Sequence, residues 1–276
     1  IGAIIFSVPC VLVVWFGLKA TGLWEKFVSS GMVVLLGVII VASFLSGKAD
    51  PSRVMYADWM YAVPLLSSAI FCYIAQYAVP ELSRGMRHNA KQLPKAIILG
   101  MLITGVLLAV VPFAVLSLTG KENVTEVATL AWGMALGQWA LYAANIFALC
   151  AMMTSYWAVG GSMLTNIVDM FKLKDEKDTK TRVIAIACTV LPPFILAFAG
   201  LVSFVDAIGW AGTFGGVIMS IVPVLMVNKA RKCGDIEPEW KCGWYAHPAV
   251  QGTIIVVFGL AAIYFVCSMI GILPAG

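Results

Sequence analysis

Two polar stretches interrupt an otherwise apolar chain. The first is Tyr73, Gln76 and Tyr77, followed directly by Pro80-Glu81. Two phenols and an amide supply donors, acceptors and ring faces, which suit the binding of a small solute better than its chemical conversion. Glu81 adds an ionisable group at membrane depth, by default a candidate for a coupling or gating role, although such groups also cap helix ends. The second stretch is the hydroxyl pair Thr154-Ser155. Such a pair either bonds back to the carbonyl one turn earlier or gives oxygens to an ion or substrate within the bilayer. Sodium would suit two hydroxyls together with several carbonyls, but hydroxyls alone do not select it over a proton-driven design.

The remaining chemistry-bearing residues lie at margins. His88 and His247 fall in loops and Asp206 at the start of an apolar segment, while Asp50 and Asp58 share a loop. So few ionisable groups within apolar runs argue against an enzyme active site. Cys233, Cys242 and His247 lie close in sequence, but the spacing matches no CxxC metal or redox pattern, so no metal site and no cofactor are expected. The other five of the seven cysteines, Cys10, Cys72, Cys150, Cys188 and Cys267, lie in apolar runs, where a thiol acts as a small hydrophobe.

The elements that position these residues are membrane spans. Hydrophobic residues make up 61% of the 276 and charged residues only 12%, and mean hydropathy is +0.95; this is the composition of an all-α polytopic membrane protein. Eight apolar segments are expected: Ala3–Leu18, Phe27–Leu45, Trp59–Met86, Pro94–Leu118, Gln138–Phe171, Val183–Leu201, Phe204–Val227 and Ala249–Leu273. Each is long enough to cross a hydrocarbon layer of roughly 30 Å. The third contains the first polar stretch. It divides into half-helices at about Trp59–Cys72 and Pro80–Met86, with irregular backbone between them, because Pro80 suits the first turn of a new helix and Glu81 complements its positive end. A break in hydrocarbon is tolerated where it lines a cavity, which makes this a binding position. The plainer alternative is a proline kink. Between the fourth and fifth segments, Lys121–Leu136 suits a short interfacial helix carrying Trp132.

With the first loop cytoplasmic, fifteen of the eighteen Lys and Arg fall in cytoplasmic loops, and only Lys48, Arg53 and Lys121 fall outside. This asymmetry is what the positive-inside rule predicts for eight spans, with both Ile1 and Gly276 outside. The cations sit in short loops and form no extended face, which excludes a nucleic-acid partner. Ile1 follows no initiator Met or signal segment, so the expectation is a piece of a longer chain preceded by an odd number of spans. Gly209, Gly212 and Gly215 recur every three residues, a small-residue stripe for close helix packing. Pro192-Pro193 marks a bend in the preceding span.

Several of these motifs, in order along most of the chain, resemble the hydroxy/aromatic amino acid permeases of the amino acid–polyamine–organocation superfamily. They are Val79-Pro80, then Leu93-Pro94-Lys95-Ala96-Ile97 with Gly100; Thr154-Ser155 in a helix ending Asp169-Met170-Phe171; Leu191-Pro192-Pro193; and Ala207-Ile208-Gly209-Trp210-Ala211-Gly212 with Pro223. The resemblance implies a leucine-transporter-like fold of two inverted five-helix repeats, each with its first helix broken around a central site. Residues 1–46 would then hold the last two helices of the first repeat, 58–228 the second repeat, and 249–273 an extra C-terminal helix of a single transmembrane domain lacking three N-terminal helices. It further implies a multi-pass protein of the cell (inner) membrane that transports aromatic or hydroxy amino acids by proton symport and alternating access. The substrate would lie at Tyr73, Ile74, Ala75, Gln76 and Tyr77, with Thr154, Ser155 and Glu81 serving the coupling ion. Gly209, Gly212 and Gly215 would pack mobile helices against the scaffold. Sodium coupling, or a sensor that binds amino acids without flux, is the alternative. One departure stands out: the family's break contains glycine, whereas no glycine occurs between Gly47 and Gly85. Either the substrate differs or the break lies elsewhere.

Overall fold

The computed structural model describes residues 2–16, 18–56, 59, 65–125, 127–173, 178–201, 203–235, 237 and 243–270. Asp58, Glu126, Lys174, Lys177, Lys241 and Cys242 lie outside the described residues, as do the side chains of Lys19 and Asp206. The regular elements among the described residues are helices, with no strand. The α-helices are α1 (Gly2–Phe16), α2 (Leu18–Leu45), α3 (Leu66–Tyr73), α4 (Val79–Gly85), α5 (Leu93–Thr119) and α6 (Ala128–Leu136). They continue with α7 (Gln138–Met170), α8 (Thr179–Phe198), α9 (Phe204–Trp210), α10 (Gly216–Cys233) and α11 (Pro248–Met269). Six helical stretches among them are long and apolar enough to cross a membrane: Gly22–Leu45, Arg87–Thr119, Gln138–Met170, Thr179–Phe198, Ala207–Cys233 and Pro248–Ser268. Of the other two expected spans, the first appears as the shorter apolar helix Phe6–Phe16. The third is the interrupted Leu66–Gly85 stretch.

The chain folds as two compact units. One comprises Ile1–Tyr56 and Leu102–Ala199. Its long helix α7 is the common partner: Trp157, Leu164 and Ile167 pack with Cys10 and Val14 of α1 and Ala185 of α8. Further along, Ala140 and Ala144 pack with Leu36 and Ile39 of α2, Val115 of α5, and Ala131 and Trp132 of α6. The small residues on α7 are what let α2 and α6 approach closely. Helix α6 is thus a core element of this unit. Trp132 is 1% exposed and donates its indole N–H to Ser43 Oγ at 3.1 Å.

Two of the three cations expected outside cap helix ends in this unit, and the third meets an aromatic ring. Arg53 Nη1 donates to the Leu118 carbonyl at 2.7 Å, and Lys48 Nζ to the Ala135 carbonyl at 2.8 Å. These are last-turn carbonyls of α5 and α6, where orphan acceptors and the negative dipole end favour a cation. Lys121 Nζ sits 4.3 Å from the centre of the Tyr56 ring. Asp50 accepts from the Ser52 backbone N–H at 2.9 Å and so caps the 3₁₀ turn Pro51–Val54 that carries Arg53.

The other unit comprises Ala57–Met101 and Gly200–Gly276. Helices α9 and α10 are joined without a loop by a π-helical turn, Ala211–Gly215, where a continuous α-helix with a glycine stripe was expected. This turn and α10 face α3. The close approach falls at Gly215 and Gly216: a Cβ on Gly215 would lie 3.6 Å from Ile74 Cδ1, and one on Gly216 would overlap Ile70 Cγ2. A Cβ on Gly209 would meet nothing within 4 Å. Gly212 is buried in the turn.

Candidate functional site

The helix beginning at Leu66 stops at Tyr73. Ile74 then adopts φ −74°, ψ 86°, and the Ala75 N–H donates to the Tyr73 carbonyl at 2.9 Å. That bond across a single residue is an inverse γ-turn. Ala75 follows at φ −115°, ψ 1°, then a 3₁₀ turn over Gln76–Ala78, and α4 starts at Val79 with Pro80 in its first turn. Restart therefore comes one residue earlier than the expected Pro80, and the first half-helix ends one residue later than the expected Cys72. Pro80 offers no N–H to the carbonyl of Gln76, which instead accepts from the backbone N–H of Val79. The geometry also explains the missing glycine. Both break residues keep negative φ, a region open to any L-residue, so Ile and Ala suffice.

The turn hydrogen bonds use the N–H groups of Ile74, Ala75 and Ala78. A cavity of about 290 Å³ opens beside the break. Its apolar wall is Ala69, Ile70 and Ile74 with Phe258 of α11, and its polar lining is Tyr73 and Gln76 with Ser220 of α10. The Gln76 amide oxygen is buried with no hydrogen-bond partner among the described residues, a state that costs about 1–3 kcal/mol in a folded protein. Ser220 and Phe258 escaped the sequence reading, because nothing local distinguishes a serine or phenylalanine facing a cavity from one facing lipid.

The other expected site residues are placed as follows. Glu81 pairs with Arg84 at 2.9 Å, one turn along α4, with both side chains partly exposed; such an ion pair contributes little. Thr154 and Ser155 belong to the first unit, on α7. Thr154 is buried and donates to the Ala151 carbonyl at 3.1 Å, while Ser155 is exposed. The π-turn holds one hydroxyl that sequence gave no reason to single out. Thr213 is 3% exposed, and its Oγ1 has no partner among the described residues. Thr119, Thr165 and Thr189, all on regular α-helix, bond to the carbonyl four residues earlier at 2.8–3.3 Å. Widening the helix at Thr213 removes that standard acceptor position.

His247 caps α11, its Nδ1 accepting from the Ala249 N–H at 3.2 Å. His88 is exposed in a 3₁₀ segment, and Cys233 is a free, exposed thiol. None of these three touches the cavity.

Comparison with known proteins supplies context for this site. The model of the tryptophan/tyrosine permease family matches residues 1–268. A tryptophan-specific transport protein of Haemophilus influenzae is 26% identical over 249 residues, covering 84% of this chain and 58% of its own length. One from Pseudomonas aeruginosa is 23% identical, covering 95% of this chain and 64% of its own length. A tyrosine-specific transport system of H. influenzae is 26% identical over 72% of this chain and 53% of its own length. The chain therefore spans roughly three fifths of the length of the first two of these curated relatives, whose names are those of transport proteins and not of enzymes. No solved structure matches it significantly.

Proposed function

We propose, from the premise that this chain belongs to the tryptophan/tyrosine permease family, that it forms part of a secondary-active transporter carrying aromatic amino acids by alternating access. One observation carries the reading: an apolar helix interrupted at Ile74-Ala75 beside a cavity of about 290 Å³. Interrupted helices in a membrane protein mark where ligand, water or protein replaces helical hydrogen bonds. The substrate lies against Tyr73, Ile74, Ala75, Gln76 and Tyr77. The relatives' names, tryptophan-specific and tyrosine-specific, favour the aromatic over the hydroxy amino acids.

Protons drive uptake in this reading, with Glu81, Thr154 and Ser155 as candidate coupling residues. The full arrangement is eight spans of a five-plus-five inverted repeat, with basic loops cytoplasmic. Of the stripe Gly209, Gly212 and Gly215, it is Gly215, with the adjoining Gly216, that gives the interrupted helix a smooth surface to pack on. The decisive experiment is uptake of radiolabelled tryptophan, tyrosine, serine and threonine by the complete protein in liposomes, under a proton gradient and a sodium gradient separately. Uptake of the aromatic pair under the proton gradient supports the reading. Uptake under sodium alone would replace the proton, and tight binding without uptake under either gradient would replace transport with sensing.

A further inference from the structure

We propose that the cavity beside the interrupted helix holds the substrate's ring, and that Gln76 is the residue determining specificity there. Its amide oxygen accepts a hydrogen bond from a donor on the ring: the indole N–H of tryptophan or the phenol O–H of tyrosine. Phenylalanine has none. The inference rests on the transport reading and adds which part of the substrate this cavity meets.

The cavity's lining decides which end of an amino acid enters. Among the described residues no charged side chain lines it, so the ammonium and carboxylate find no counter-charge there and stay outside. Ile70, Ile74 and Phe258 offer the apolar walls that a ring needs. At about 290 Å³ the space lies at the small end for ligand pockets, fit for one ring system.

Among its polar groups, the hydroxyls of Tyr73 and Ser220 each donate and accept, so they accommodate ligands with or without a donor. The Gln76 amide also carries a donating NH2, but its oxygen only accepts, and that oxygen lacks a partner among the described residues. The terminal torsion of glutamine is broad and two-fold, so the amide can turn that oxygen from the wall into the cavity. A ring donor then supplies the missing bond, whereas a ring without one leaves the oxygen unpaired.

The test uses the complete protein in liposomes and compares two pairs of compounds that differ in the ring donor. One pair is tryptophan and 3-benzothienylalanine, in which sulfur replaces the ring N–H; the other is tyrosine and phenylalanine. Because a site built around a substrate's donor penalises the analogue lacking it, wild type should favour the donor-bearing member of each pair by about tenfold or more in uptake efficiency, and Gln76→Met should narrow this to within about threefold. Equal uptake within both pairs by wild type would overturn the role of Gln76, and that comparison needs no variant to fold. A preference that survives in Gln76→Met would overturn it as well. Uptake of none of the four compounds would instead sink the transport reading on which the inference stands.

Discussion

Thr154 and Gln76 are both polar side chains in apolar helical stretches, yet their surroundings treat them oppositely. Thr154 sits in the uninterrupted α7 and spends its hydroxyl on the Ala151 carbonyl. Gln76 sits where the helix has stopped, and its oxygen has no partner among the described residues. An intact helix offers a nearby carbonyl to any hydroxyl, so it absorbs short polar residues without creating a site. A glutamine at a break has no such carbonyl at a fixed offset. Thr213, in the widened turn beside α3, belongs with Gln76, its Oγ1 also unpaired among the described residues; the larger side chains of regular helix are not exempt, since Tyr156 Oη and Trp157 Nε1 of α7 are buried and unpaired as well.

The contrast depends on the π-turn and α10 holding the interrupted helix in place, and the largest expected effect tests that contact. Gly216→Ala inserts a methyl where Ile70 Cγ2 already lies, an overpacking expected to destabilise the protein by about 1–3 kcal/mol. Gly209→Ala fills open space and should be neutral or stabilising by up to about 1 kcal/mol through helix propensity. Thermal unfolding of both variants in detergent checks the difference. In an Ile70→Ala background, Gly216→Ala should cost less than it does alone. Equal stability of the two glycine variants would mean that α3 does not rest on α10 as described.

A second prediction asks whether the uninterrupted unit has polar bonds it cannot spare. Ser43→Ala leaves the buried Trp132 indole N–H without its acceptor and should cost roughly 1–2 kcal/mol, within the usual range for an unpaired buried donor. Combined with Trp132→Phe, the cost of Ser43→Ala should largely disappear, because the orphaned donor is gone. A full additive cost in the double variant would break the assignment.

Local signals carried the elements that sequence could show. The interruption was legible because Pro80 and Glu81 carry restart signals and Tyr73, Gln76 and Tyr77 break an apolar run. Helices α7, α8 and α11 were legible from apolar length alone. The π-turn was not, since glycines at every third position fit an ordinary packing stripe equally well and only the facing Ile70 and Ile74 show which glycines matter. Ser43 and Trp132 lie 89 residues apart; no periodicity connects them. The same holds for Ser220 and Phe258, brought to the cavity by α10 and α11. The expectation of a glycine at the break came from resemblance, and the negative φ of Ile74 and Ala75 removes the need for it.

A smaller effect would sharpen the original comparison. Thr154→Val removes a hydroxyl bonded within its own helix and should change stability by less than about 1 kcal/mol. Ser155→Ala, on an exposed side, should fall within about 0.5 kcal/mol. Uptake decides whether either residue also serves the coupling ion. A changed dependence on the proton or sodium gradient in folded Thr154→Val protein would give α7 a part in coupling; an unchanged one would leave the hydroxyl a local helix contact.

The smallest effect concerns a polar group that local backbone satisfies outside the spans. A hydrogen bond from the Ser52 side chain and another from its backbone N–H hold the Asp50 carboxyl below its ordinary range, and the charge of Arg53 adds to them. Because the folded-state value is depressed, the stabilisation is present above the ordinary carboxylate pKa and is lost as pH falls through the lower folded value. Protection of the Ser52 amide against hydrogen exchange, corrected for the intrinsic rate at each pH, should therefore persist below about pH 3.9, the ordinary aspartate pKa. Asp50→Asn, whose amide oxygen accepts without titrating, should give a flat profile. Loss of protection in wild type at or above the ordinary value would show that the turn carrying Arg53 is not held by this carboxylate. The cation that caps α5 would then owe its position to the Ser117 and Leu118 carbonyls.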